Sequence, residues 1–367
     1  MSRSGPGTPE RAPGWTESKR LRRPRGAFAG FLGVLAAALL AGGMWARADN
    51  LYISYANTAD AIEEFTSSGG NIADDGLFTN SNVSTPNGIA FDGEGNLYVA
   101  NYAAGTVSEF TAGGSYVGIY ASGLSSPGGM AFDQAGNLYV ANSGNGTVVE
   151  IMPSGATSIY ASGLSGPNGL VFGPNGNLYI ADGSNNSIVE ITTNGPVIFA
   201  SASQIPNGPA GVGFNALDDP EGLAFDSSGN LYVTNFEDNN IVEFAPDGTP
   251  TTFASNGSVQ SEPTNPEGLW SPVGIAFDSS GDVFVANYSH TGMEGEGYSY
   301  IDEYSSTGTL LNAFTDASQN LRDASYIAIE TNSGVPLLGV PEPSSEMLLM
   351  AGAASLVGVG WWRRRRG

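Results

Sequence analysis

The chain has 367 residues, among them 52 Gly, 21 Pro, one His and no Cys, with a formal charge of −23. Without cysteine there is no disulfide framework, Cys-ligated zinc, iron–sulfur cluster or thiol catalysis, and the lone His290 excludes a multi-histidine metal site. The negative balance speaks against nucleic acid as a partner, because phosphates need Lys and Arg to neutralise them.

The positive charge sits at the two ends. Eight of the 13 Lys and Arg lie in residues 1–48 and four are Arg363, Arg364, Arg365 and Arg366, whereas residues 49–341 carry 32 Asp and Glu against Arg322 alone. Residues 1–26 are polar and basic, residues 27–45 are apolar, and Ala46-Arg47-Ala48 follows. This is the build of a secretory signal peptide over residues 1–48, with cleavage at the small residues. An uncleaved membrane anchor is the competing interpretation of the same run.

From residue 49 onward one unit recurs. A segment P-x-G-[ILM]-[AV]-F-D begins at Pro86, Pro127, Pro167, Pro220 and Pro272, with Gly173 in place of the Asp in the third copy. A second segment, like N-L-Y-V-A-N, begins at Asn96, Asn137, Asn177, Asn230 and Asp282. A third ends in Glu109-Phe110, Glu150-Ile151, Glu190-Ile191, Glu243-Phe244 and Glu303-Tyr304, and a fourth covers residues 117–121, 157–161 and 197–201. Each is a short apolar or alternating run bounded by Gly, Asn, Asp or Ser, which predicts a strand. Four short strands per unit of about 40 residues predict an all-β propeller with four-stranded blades.

Residues 50–57 repeat the second segment without a first. Residues 324–330 repeat the first without a second. The two halves complement each other, so the expected ring has six blades over residues 49–338, closed by N- and C-terminal strands. Closure removes the free sheet edges. The tight Asp-rich turns between first and second segments predict φ > 0 at Gly95, Gly136, Gly176, Gly229 and Gly281.

Beyond the repeats, Pro341-Glu342-Pro343 precedes an apolar stretch at 347–362 and the four terminal Arg. By physics this is a transmembrane tail with a cytoplasmic Arg stop. The order of triplet, apolar helix and Arg cluster resembles the PEP-CTERM sorting signal of Gram-negative bacteria, here over residues 339–367. The resemblance implies processing by an exosortase and display at the cell surface or in exopolysaccharide.

The run P-x-G-I-A-F-D-x-x-G-N-L-Y-V-A-N over residues 86–101 resembles NHL repeats and the six-bladed propellers of the senescence-marker-protein/gluconolactonase group. In gluconolactonase-like propellers, Asn and acidic residues before the first-segment Gly coordinate a divalent metal. Here that position holds Asn87, Gly128, Asn168, Glu221, Val273 and Ser325. Asn87, Asn168 and Glu221 match in type, and oxygen ligands suit calcium or magnesium. Gly128 and Val273 bring no ligand, so a ring of capping, water-binding groups is the alternative. A second ring, Asn101, Asn142, Asp182, Asn235 and Asn287, matches the NHL position that holds loop backbone.

The Glu before each third-segment end is expected to be a solvated outer-face charge. Three insertions, about 202–219, 256–271 and 289–299, emerge on the face that carries the prolines. They bring Trp270, Tyr288, His290, Tyr298 and Tyr300 towards one rim, and Trp270, Tyr288, Tyr298 and Tyr300 are candidate recognition residues. His290 is expected to be a loop residue without catalytic duty. The expected function is an exported, surface- or exopolysaccharide-associated, non-catalytic binding or matrix module, whose partner is a polysaccharide or a surface protein. The alternatives are a metal-dependent lactonase and a purely structural surface protein.

Overall fold

The inner strands carry P-x-G followed by three apolar residues, and the second strands are near-continuous apolar runs. The latter pattern belongs to strands covered on both faces. The computed structural model describes residues 49–56, 60–68, 71–202, 217–255, 269–288, 299–314 and 324–331. Their strands run, in chain order, as β1 (Asp49–Tyr55), β2 (Ala61–Ser68), β3 (Asn71–Thr79), β4 (Pro86–Phe91), β5 (Leu97–Asn101), β6 (Thr106–Phe110), β7 (Tyr116–Ser122) and β8 (Pro127–Phe132). Next come β9 (Leu138–Asn142), β10 (Thr147–Ile151), β11 (Thr157–Ser162), β12 (Pro167–Phe172), β13 (Leu178–Asp182), β14 (Ser187–Thr192), β15 (Gly195–Ser201) and β16 (Pro220–Phe225). The last are β17 (Leu231–Asn235), β18 (Asn240–Phe244), β19 (Pro250–Ser255), β20 (Pro272–Phe277), β21 (Val283–Asn287), β22 (Tyr300–Tyr304), β23 (Leu310–Phe314) and β24 (Ala324–Thr331).

These form six four-stranded antiparallel sheets. Blades 1 to 5 begin at β4, β8, β12, β16 and β20, and blade 6 has the order β24-β1-β2-β3. The chain ends thus share a blade, as expected, with Leu51 paired to Ile329 and Ile53 to Ile327. Inner strands β4, β8, β12, β16, β20 and β24 each contact the next around the ring. The fold is the expected six-bladed propeller.

Burial falls off from the axis outward. Strands β5, β9, β13, β17 and β21 are buried along their whole length, whereas β11 is exposed at Thr157, Ser158, Ile159 and Tyr160. Inner strands pack backbone against backbone. A Cβ on Gly222 would stand 2.2 Å from the Val273 carbonyl oxygen of the next blade, so only glycine permits that approach.

One aromatic trio repeats between blades. Tyr98 meets Tyr120 of its own blade and Phe132 of the next, edge to face, at 4.8 and 4.9 Å. Tyr139, Tyr179, Tyr232 and Tyr52 do the same. The blade 5–6 seam departs from this, with Phe284 and Ile329 in a mixed hydrophobic cluster instead.

The third-strand Glu residues are not the solvated charges expected. Register places each opposite the second-strand aromatic. Tyr98, Tyr139, Tyr179 and Tyr52 donate their hydroxyls to Glu109, Glu150, Glu190 and Glu64 at 3.3, 3.1, 3.0 and 2.9 Å. In blade 5 the opposite residue is Phe284, and Glu303 is buried with its Oε2 unpartnered among the described residues.

Turn chemistry closes each first hairpin. Asp92 Oδ1 accepts from the N–H of Glu94 and Asn96 at 2.8 and 2.9 Å, and Gly95 has φ +83°. The other four turn glycines also have positive φ, as expected.

Candidate functional site

Pro86 pairs with Asn101, Pro167 with Asp182 and Pro220 with Asn235, so inner-strand starts and second-strand ends share one face. There the second ring acts as the sequence implied. The Asn101, Asn142, Asp182, Asn235 and Asn287 side chains accept from the N–H of Ser84, Ser125, Ser165, Asp218 and Trp270, at 2.9, 3.3, 2.6, 3.4 and 2.9 Å. Each bond ties a blade to the loop that enters it, which makes the ring structural.

Two hydroxyls reinforce the same tier where other blades have Ala. Thr234 Oγ1 accepts from Gly222 N–H at 2.8 Å and donates to the Val273 carbonyl at 2.7 Å. Ser54 Oγ accepts from Tyr326 N–H at 3.0 Å and donates to the Asn87 carbonyl at 2.6 Å. The second bond ties the closing blade to blade 1.

Asn87, Asn168 and Glu221 are half-buried and top β4, β12 and β16 at the channel mouth, while Gly128, Val273 and Ser325 are buried. A Cβ on Gly183 would fall 3.0 Å from Asn168 Nδ2 and 2.7 Å from Asp219 Oδ1, so both side chains lie over that glycine. Burial, then the Asp219 charge, hold the Glu221 carboxyl well above the usual range, which favours its neutral form.

Tyr326 was not singled out from the sequence. It stands on β24 where the other five blades have Gly88, Gly129, Gly169, Gly222 and Gly274. Its hydroxyl reaches 3.1 Å from the Cβ position of Gly129, on β8, two blades round the ring. The ring therefore spans the channel. Its buried hydroxyl oxygen has no hydrogen-bond partner among the described residues, and burial followed by the nearby Glu221 charge raise its pKa far above that of free tyrosine. The signal was legible as the one break in the glycine column.

An acidic patch borders the mouth at blade 4. Burial, then Asp218 and Glu237, push the Asp238 carboxyl up to about 6, and burial with Glu237 and Asp218 also raises Asp219. Beside it Phe236 and Tyr288 meet in a tilted ring contact, with centroids 6.0 Å apart and an interplanar angle of 57°. Trp270 is half-buried next to them, its N–H held by Asn287, which immediately precedes Tyr288. Tyr300 pairs with Asn287 at the start of β22, and burial raises its pKa. Trp270, Tyr288 and Tyr300 thus gather at the blade 4–5 rim, and Phe236, not foreseen, joins them. Tyr298 and His290 lie outside the described residues, as do most of the three insertions. So do the signal segment, Pro341, Glu342, Pro343, the apolar stretch and Arg363, Arg364, Arg365 and Arg366. Among the described residues no helix is long and apolar enough to cross a membrane.

One carboxyl that favours its neutral form and two uncharged amides are a poor donor set for a resident divalent metal, which wants several anionic oxygens. Among the described residues no three His, Asp or Glu side chains converge as metal ligands.

Residues 141–266 match the family described as SMP-30/Gluconolactonase/LRE-like region, and residues 339–365 match the PEP-CTERM protein-sorting motif. No curated protein gives a significant match. Among solved structures, a chain of a nidogen/laminin complex is similar at 18% identity and a TM-score of 0.60, covering 77% of this chain and 98% of its own. A protein of unknown function from Bacteroides caccae shares 14% identity at a TM-score of 0.57, with 77% and 98% covered. A gluconolactonase from Xanthomonas campestris shares 17% at 0.53, with 76% and 92% covered. At these identities the likeness is one of fold. The chain is a six-bladed β-propeller that carries an SMP-30/gluconolactonase/LRE-like region and ends in a PEP-CTERM sorting motif.

Proposed function

We propose that this is an exported binding module, sent by its sorting motif through exosortase processing to the cell surface or exopolysaccharide of a Gram-negative envelope. Its proline-bearing face holds a polysaccharide or a surface protein without catalysis. The observation that carries this reading is the aromatic group Trp270, Tyr288 and Phe236, set beside the carboxylates of Asp218, Glu237 and Asp238. Aromatic faces next to hydrogen-bonding acids are the chemistry that stacks on and grips sugar rings. Isolated exopolysaccharide, titrated by calorimetry, is the test. Trp270→Ala and Tyr288→Ala should each weaken binding by about 1–3 kcal/mol, and Glu221→Gln should leave it intact. Equal binding by all three variants refutes the reading.

The second reading is a metal-dependent lactonase. It is favoured by the family match, which includes Asn168 and Glu221. Calcium titration followed by a lactone hydrolysis assay decides it. Metal-dependent turnover by the parent that vanishes in Glu221→Gln makes the protein an enzyme.

A further inference from the structure

The central channel holds a chamber below the Tyr326 ring. Its cavity measures about 780 Å³, within the range of small-molecule sites. The wall begins at the tier of Ile89, Met130 and Leu170, one residue below the glycines, and Tyr326 fills the glycine tier above it. The other end opens among the Asp-rich turns, where Asp226, Ser228, Asp278 and Ser280 line it.

Two features make the interior distinctive. Every inner-strand residue that lines it from Ile89, Met130 and their equivalents down to the Phe or Ile that ends the apolar triplet is apolar. Ala131, Ala276 and Ala328 are only half-buried, since the chamber lies against them. An apolar wall gives water few partners, and its desolvation by an apolar ligand is favourable. The mouth is different, with Asp226, Glu243 and Asp278 on one side of it. Residues 49–341 add a field from 32 acidic side chains against Arg322. An anion is repelled before it reaches the chamber.

We infer that this chamber is a second ligand site, on the face opposite Glu221, which takes one uncharged apolar small molecule and rejects apolar anions. It is independent of the binding face described above, because Tyr326 separates the two.

The neutral dye N-phenyl-1-naphthylamine and its anionic counterpart 1-anilinonaphthalene-8-sulfonate form a matched pair for the test with the exported chain. The neutral dye should bind saturably, one per chain, with a blue shift. The anionic dye should bind at least tenfold more weakly at low salt, and that gap should narrow as salt rises. Ala131 and Ala276 lie on blades 2 and 5, opposite each other across the axis. The double change Ala131→Phe with Ala276→Phe narrows the chamber and should weaken the neutral dye at least tenfold. Should that variant not fold, the stoichiometry and charge selectivity of the parent decide alone. Non-saturable uptake, or equal affinity for both dyes, overturns the proposal. A folded double variant that binds as the parent does overturns it too.

Discussion

Phe284→Tyr should stabilise the protein. In five blades the second-strand position holds a tyrosine opposite a third-strand Glu, and in four of them the hydroxyl–carboxylate distances run from 2.9 to 3.3 Å. Blade 5 has Phe284, 0% exposed, facing Glu303, 1% exposed, and Glu303 Oε2 has no partner among the described residues. A buried unsatisfied acceptor costs about 1–3 kcal/mol, and a hydrogen bond to it restores on the order of 1–2 kcal/mol. The added oxygen occupies some space, so a net gain of about 1 kcal/mol is expected, or a rise of roughly 2–4 °C in melting temperature. Burial, then the Asp282 and Asp278 charges, raise the Glu303 pKa. Its folded state therefore holds the proton longer than the unfolded chain, and stability falls as pH climbs above the ordinary carboxylate range. A phenol donates to the carboxylate, so the gain should be larger at pH 8 than at pH 4.5. Calorimetric melting of parent, Phe284→Tyr, Glu303→Gln and the double variant forms a cycle that isolates the pair. A lower melting temperature in Phe284→Tyr, or an equal gain when Glu303 is Gln, would falsify the pairing argument.

Asn101→Ala should cost about 3 kcal/mol, since this buried amide accepts from Ser84 N–H and donates to Thr106 Oγ1 at 3.1 Å and Ser108 Oγ at 2.9 Å. Asn101→Asp should lose less, because Asp182 accepts the same loop bond in blade 3 at 2.6 Å; urea titration compares the two. With Asp238 pushed up to about 6 and Asp219 raised, the folded state prefers their protonated forms. Their stabilising contribution is present below the ordinary carboxylate pKa and is lost as pH rises through about 6, by on the order of 1 kcal/mol after solvent screening. Melting curves of the parent from pH 4.5 to 8 should show that loss, and Asp238→Asn should flatten it. Neutral residues in place of Arg363, Arg364, Arg365 and Arg366 should remove the cytoplasmic stop and shift protein into the medium; unchanged cell fractionation counts against the sorting role.

The architecture was readable because propeller information is local and repeated. Each blade's strands announce themselves by alternation and turn residues within about 40 positions, and five copies average out the noise of any single one. Ring closure was readable from the orphan halves at residues 50–57 and 324–330, which only a shared blade could complete. The loop-holding role of Asn101, Asn142, Asp182, Asn235 and Asn287 came from the family likeness, and the constant 17-residue reach of their bonds explains why it transfers.

What the tertiary structure decided depends on register and distance. The third-strand Glu looks exposed along its own strand, and only the pairing of β5 with β6 brings Glu109 opposite the Tyr98 hydroxyl. Asn168 belongs by position to the channel mouth, and only the tertiary structure shows that it shares the space over the side-chain-free Gly183 with Asp219. Tyr326 marks the limit most clearly. Its break in the glycine column was visible in the sequence. That it plugs the channel was not, because a side chain reaches a residue two blades away only once six blades have closed and set the channel's width.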